Sequence, residues 1–272
     1  HDVVEPRVKV SGPGCVFPGI LGPVETVGEG RTHTLSGITV MTSAEYRPTI
    51  LSGTEACSAG IVDMWGPGAS LTPFGATINI VLMVKLIDGV TELEAHEAIQ
   101  SAEFRVARRL AETTRNLDPE GVETFELSTC DPSLPRVVYV LTCLTEWHHA
   151  HSLIAYCGLP IRESLPTLMH PNELLDGTIT VDARRGGGIF TTTWIWMTHP
   201  IVLELLRRHG KQLNFLGVIL QRTRFETEFG KQVSATCVSQ MARLLGAEGA
   251  VITRIVTSGN NFVDVALTVQ AL

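Results

Sequence analysis

Apolar and polar positions along the 272-residue chain change period several times, and each change predicts an element. Residues 1–75 carry short β-branched runs, such as Gly37 to Thr42, between closely spaced prolines and glycines. That pattern predicts a strand-rich, loop-rich opening. Ile78 to Val84 is almost unbroken apolar sequence and reads as a buried strand. Residues 91–116 then take helical spacing, with Ala98, Ala102, Val106 and Leu110 on one stripe. Thr91 followed by Glu94 is a capping box that starts this helix.

Further along, Val137 to Leu144 reads as a buried strand and Pro200 to His209 as a helix. Arg207, Arg208 and His209 suit the negative end of the helix dipole, and Gly210 stops it. Leu213 to Leu220 is a strand, Val233 to Leu245 a helix ended by Gly246, and Ala250 to Val256 another strand. This alternation predicts an α/β protein: a β-rich N-terminal part followed by an α/β unit with a mostly parallel sheet. A boundary falls within 117–135, dividing a β-rich segment with one long helix (1–125) from an α/β domain (126–272).

Composition narrows the function classes. A net charge of −7 argues against a nucleic-acid surface, which needs clustered Lys and Arg. No apolar run reaches the roughly 18–20 residues of a bilayer span, and no signal peptide is visible. The six cysteines (Cys15, Cys57, Cys130, Cys143, Cys157, Cys237) are scattered without a CxxC pair. They read as reduced thiols of a cytoplasmic protein and not as a tetrahedral zinc site. The chain opens at His1 in mid-phrase and stops after an amphipathic stretch (VDVALTVQAL), so a piece of a longer chain is expected.

Residues 168–216 join two predicted elements through a polar centre. That centre holds Asp176-Gly177, then Asp182-Ala183-Arg184-Arg185-Gly186-Gly187-Gly188, then Thr191-Thr192-Thr193. Three glycines in a row suit a sharp turn or a close backbone approach. Other phrases run through the chain: EPRVK (5–9) with FPG (17–19), GEGRTH (28–33), and GIVDMWGPG (60–68) with TPF (72–74). LPT (165–167), HPNE (170–173) and DG (176–177) follow, then RHGKQLNFLGVI (208–219) with LGAEGAVI (245–252). In this order and combination the chain resembles the component B family of glycine, sarcosine and betaine reductases, with the related D-proline reductase proprotein.

The resemblance implies reductive chemistry on a small amine within a hetero-oligomer. In that family a pyruvoyl carbonyl forms an iminium with the substrate amine. A selenocysteine or cysteine of a partner subunit then attacks the α carbon. The pyruvoyl group arises by self-cleavage at a cysteine shortly after the Asp-Gly phrase. Here that position falls at Arg184, and no Cys, Ser or Thr lies between Val181 and Ile189. Pyruvoyl formation needs a side-chain nucleophile, which arginine does not supply. No pyruvoyl group is therefore expected at this position. Thr129-Cys130 and Thr236-Cys237 lack the matching surroundings.

Several residues remain as candidates, each with a plainer alternative. Arg184, Arg185, Gly186 and Gly187 suit an anion-binding loop that holds a substrate carboxylate, or a solvent-exposed turn. Thr192 and Thr193 line a pocket beside that loop or begin a strand, with Trp194 and Trp196 alternating on one face. Glu146-Trp147-His148-His149-Ala150-His151 follows a strand, where α/β proteins place their sites. His148, His149 and His151 can hold a metal ion; His149 or His151 can serve as a general acid or base; the segment is otherwise a polar strand end. Asp63 is a base with a raised pKa, a partner of Arg31 or Arg47, or a turn cap. His33 is equally ambiguous. The charged face of helix 91–116 reads as solvated surface.

Two hypotheses of different class follow. One is an enzyme subunit that binds a small amine or amino-acid-like substrate and works with a thiol- or selenol-bearing partner. The other is a non-catalytic subunit that docks that partner. A metal-dependent enzyme using residues 146–151 is a third reading.

Overall fold

The computed structural model describes residues 2–45, 62–128, 130–144, 154–181, 192–223, 225–254 and 259–272. Its N-terminal part contains β1 (Val3–Val4), β2 (Arg7–Ser11), β3 (Arg31–Thr34), β4 (Ile38–Glu45), β5 (Ile78–Lys85) and α1 (Glu92–Ala111). Strands β2 and β3 form an antiparallel pair. A second sheet has the order β1-β4-β5, with β4 and β5 parallel. Helix α1 opens with the expected capping box: the Thr91 hydroxyl accepts the Glu94 N–H, and the Glu94 carboxylate accepts the Thr91 N–H at 2.8 Å. Phe104 and Ala107 of α1 join Val3, Phe17 and Val40 in one apolar cluster. The α-helix ends at Ala111 and tightens into a 3₁₀ turn over Glu112–Thr114.

Strand β5 departs from the expectation of burial. Ile78 is 70% and Met83 79% exposed, and among the described residues β5 is an edge strand paired with β4 alone. Its apolar sequence reports a face that needs a cover, and no described residue supplies one.

The remaining elements are β6 (Arg136–Leu144), β7 (Ile154–Tyr156), β8 (Leu159–Pro160), β9 (Thr167–Met169), α2 (Pro171–Leu175) and β10 (Ile179–Val181). They continue with α3 (Thr193–Met197), α4 (Pro200–Arg208), β11 (Asn214–Thr223), α5 (Glu228–Leu244), β12 (Gly249–Thr253) and α6 (Gly259–Ala271). The main sheet has the order β12-β6-β11-β9, with β12, β6 and β11 parallel and β9 antiparallel to β11. A small antiparallel sheet orders β10-β7-β8.

Strand β6 is continuously apolar because both its faces are covered. Tyr139, Leu141 and Cys143 pack with Val202, Leu205 and Leu206 of α4 on one side. Val138 and Val140 pack with Val238 and Ala242 of α5 on the other. Gly210, at φ 69°, takes the left-handed conformation just past α4. Helix α5 starts at Glu228, ahead of the expected Val233, because the Thr227 hydroxyl caps its first turn through the Gly230 N–H at 3.0 Å.

Residues 193–197 form a helix, not the expected strand. The Trp-Ile-Trp alternation suggests a period of two. The buried positions are instead Thr193, Trp196 and Met197, at helical spacing. Trp196 enters the core beside α4, while Met197 enters the N-terminal cluster, so this single turn links both.

Candidate functional site

The Asp-Gly phrase sits where α2 ends, and other phrases of the resemblance fold onto it. The buried Asp176 carboxylate accepts hydrogen bonds from the Lys9 ammonium, the Thr32 hydroxyl at 2.6 Å and the Gly28 N–H at 3.0 Å. A buried carboxylate needs such partners, since desolvation disfavours an unpaired charge. The Arg7 guanidinium donates to the carbonyls of Leu175 at 2.6 Å and Met197 at 2.9 Å. Burial lowers the Arg7 pKa, and the Asp176 charge opposes that effect.

Phe17 packs against the same turn. Its N–H donates to the Asp176 carbonyl at 3.4 Å, and its ring stacks on Phe104 with centroids 3.9 Å apart. Gly177 has φ 76°, and a Cβ there would stand 3.1 Å from the Phe17 ring. Both its conformation and its surroundings therefore require glycine.

The HPNE phrase is the capping box of α2. Glu173 accepts the His170 N–H at 2.8 Å with one oxygen and the Tyr156 hydroxyl at 2.6 Å with the other. Burial raises the Glu173 pKa above the usual carboxylate range and lowers that of His170.

Beyond this cluster, β10 ends at Val181, whose backbone is held on both sides. Its N–H donates to the Thr193 hydroxyl at 3.0 Å, and its carbonyl accepts from the Gln100 side chain at 3.1 Å. Thr193 thus ties the start of α3 to the end of β10. The hydroxyl of Thr192 is buried and has no hydrogen-bond partner among the described residues. Arg184, Arg185, Gly186 and Gly187 lie outside the described residues, as do Glu146, His148, His149 and His151. No group of three or more metal-ligating side chains occurs among the described residues.

Of the readings open for Asp63, the structure shows the turn cap and not the base with a raised pKa. Its carboxylate accepts the N–H groups of Trp65 at 3.2 Å, Gly66, and Gly68 at 2.9 Å. The Gly66 N–H, then that of Gly68, hold the Asp63 carboxyl below the usual range, because bonds to the charged form favour it. Among the described residues its hydrogen-bond partners belong to its own turn and do not include Arg31; Arg47 lies outside the described residues. His33 is engaged elsewhere: its Nδ1 lies 2.8 Å from the Thr114 carbonyl in the 3₁₀ turn that follows α1.

A second polar contact carries no local sequence signal. The Tyr139 hydroxyl meets Nε2 of His199 at 3.1 Å and also the Thr253 hydroxyl. Trp196 flanks His199, with ring centroids 5.9 Å apart. Burial holds the His199 pKa down at about 4. Tyr139, His199 and Thr253 are far apart in sequence; the pairing of β12 with β6 and the start of α4 against the sheet bring them together.

The model of the glycine/sarcosine/betaine reductase component B subunits matches residues 1–272, and the chain is a member of that family. The glycine reductase complex component B subunits alpha and beta of Acetoanaerobium sticklandii are 34% identical over 258 residues, covering 93% of this chain and 57% of that protein. The sarcosine reductase complex component B subunit alpha of Peptoclostridium acidaminophilum is 33% identical over 261 residues, covering 93% and 58%. The betaine reductase complex component B subunit alpha of the same organism is 31% identical over 261 residues, covering 92% and 57%. This chain thus spans 57–58% of the length of these relatives. No solved structure matches it. Among the described residues no helix is long and apolar enough to cross a membrane.

Arg184 stands where the resemblance places the cleavage position of a pyruvoyl precursor, and the sequence between Val181 and Ile189 carries no Cys, Ser or Thr that would fit that chemistry. The next described hydroxyl with a partner, that of Thr193, is occupied by the Val181 N–H.

Proposed function

We propose that the chain is a component B-type subunit of a cytoplasmic reductase complex that acts on a small amine or amino-acid-like substrate without a pyruvoyl group of its own. The observation that carries this reading is the conjunction at the Asp-Gly turn. Arg7, Lys9, Phe17, Gly28 and Thr32 gather the phrases that carry the resemblance around the Asp176 turn, while the sequence that follows carries Arg184 and no Cys, Ser or Thr from Asp182 to Gly188.

In this reading Arg184 and Arg185, with the N–H groups of Gly186 and Gly187, hold the substrate through its carboxylate or another anion. Thr192 and Thr193 border that position. A thiol- or selenol-bearing partner subunit delivers the reductive cleavage of a C–N or related bond. His149 and His151 stand as proton donors or acceptors, and with His148 as alternative metal ligands. The test uses the reconstituted complex with glycine, sarcosine and betaine as substrates. Arg184→Gln and Arg185→Gln are expected to raise KM about tenfold or more, with kcat changed less. Unchanged KM in both variants overturns the anion-binding role.

The lost nucleophile also favours a second reading, a non-catalytic subunit that docks the thiol- or selenol-bearing partner. A complex that turns over normally with both variants supports that reading.

A further inference from the structure

Three arginines of α1 stand on one stripe. Arg105, Arg108 and Arg109 are followed by Glu112, the first residue of the 3₁₀ turn. Spacings of three, four and seven residues put all four side chains on one helix face. From the sequence this face reads as solvated surface, with each charge paired along the helix. The structure shows the pairing to be unequal. Glu112 serves two of the guanidiniums, Arg109 at 2.8 Å and Arg108 at 3.8 Å. The Arg105 side chain has no ion pair or hydrogen bond among the described residues.

Like charges three and four residues apart oppose helix formation. For Arg108 and Arg109, in the last turn of α1, the negative end of the helix dipole offsets that repulsion. The dipole's effect fades within that turn, so it does not serve Arg105. Nor does overall composition explain a cationic stripe, since the chain carries a net charge of −7.

The stripe also has shape. Leu21 stands beside it, and together with Arg105, Arg108, Arg109 and Glu112 it lines a shallow pocket of about 230 Å³. Pockets for drug-sized ligands hold roughly 300–1,000 Å³, so this one suits a smaller guest. Its base is firm. Phe104 and Ala107, on the inner side of the same helix stretch, are fully buried, and the Phe104 ring stacks on Phe17. The Leu21 N–H donates to the Phe17 carbonyl at 3.0 Å, and the Arg108 guanidinium donates to the Leu21 carbonyl at 3.3 Å. Arg108 is thereby held across the pocket, while Arg105 and Arg109 stay exposed with donors to spare.

We propose that this pocket binds one small oxyanion, a phosphate or a carboxylate. Arg105 and Arg109, one turn apart, donate to its oxygens, which the planar guanidinium fork matches in either ligand. Arg108 remains on the Leu21 carbonyl and adds its charge. Glu112 competes with the ligand for Arg109. The site is separate from the loop of Arg184 and Arg185 and does not rest on the function proposed above.

Isothermal titration calorimetry of the purified complex tests the proposal, with inorganic phosphate and with acetate as probes at constant ionic strength. The double substitution Arg105→Gln with Arg109→Gln is expected to weaken binding about tenfold or more. Both side chains are exposed, so the urea midpoint is expected to stay where it is. Glu112→Gln removes the competitor and is expected to tighten binding about threefold. Tighter binding of phosphate than of acetate assigns the pocket to a phosphate, and the reverse order assigns it to a carboxylate. Equal isotherms for the parent and the double variant with both probes overturn the proposal. So does a Glu112→Gln variant that binds no more tightly than the parent.

Discussion

Lys9 of β2 donates to Asp176, 167 residues further along the chain, and both side chains are almost fully removed from solvent. The pair joins the opening hairpin to the Asp-Gly turn that ends α2. Breaking one side of a buried pair leaves the other charge uncompensated, at a cost of about 3–5 kcal/mol. Lys9→Met and Asp176→Ala are each expected to destabilise by roughly that amount in urea titrations. The double variant is expected to lose less than the two together. Additive losses would mean that the two residues act separately.

Thr193 is expected to matter through its hydroxyl. Thr193→Val preserves shape but leaves the Val181 N–H buried and unpartnered, at about 1–3 kcal/mol. Exchange of that amide should accelerate by about an order of magnitude or more, and Thr193→Ser should restore it. Equal exchange in Thr193→Val would remove the hydroxyl's anchoring role.

Glu103, buried on α1, has its pKa raised to about 7, chiefly by desolvation, while the Thr42 hydroxyl that donates to it at 2.8 Å opposes the shift. The folded state therefore holds this proton more tightly than the unfolded chain, whose carboxyl titrates near 4.5. Stability associated with Glu103 is full below about 4.5 and falls as the pH rises toward about 7. Glu103→Gln is expected to remove this slope and to be the more stable protein at pH 8, as measured by denaturant midpoints. An unchanged pH profile in the variant would contradict the assignment.

His199 works in the opposite direction. Its pKa is depressed from 6.5 to about 4 by burial beside Tyr139 and Trp196. The unfolded chain takes up this proton first, so stability is lost as the pH falls from 6.5 toward 4. An NMR titration of the ring should show no protonation at pH 6. A midpoint near 6.5 would place His199 in water.

Local chemistry made much of the fold legible in the sequence. The Thr91–Glu94 capping box, the apolar run of β6 and the stop at Gly210 each depend on neighbouring residues alone. The misreadings concern relations between distant segments. Whether Ile78 to Lys85 is covered depends on what lies beside β5, and Trp194 and Trp196 are helical because two separate cores claim Trp196 and Met197. The meeting of Lys9 with Asp176, of Tyr139 with His199 and of Lys231 with Asp264 has no local signature. Asp63 was ambiguous for a different reason: a carboxylate next to glycines caps a turn or sits buried as a base, and only the backbone N–H geometry decides.

Position 184 of this component B-type subunit is expected to generate no carbonyl group. Intact-mass spectrometry of the purified complex, with hydrazine and borohydride labelling, tests this most directly. The expected result is an uncleaved bond at Ala183–Arg184 and no labelled fragment beginning at that position. A labelled carbonyl on a fragment whose mass places the break between Val181 and Ile189 would contradict the account.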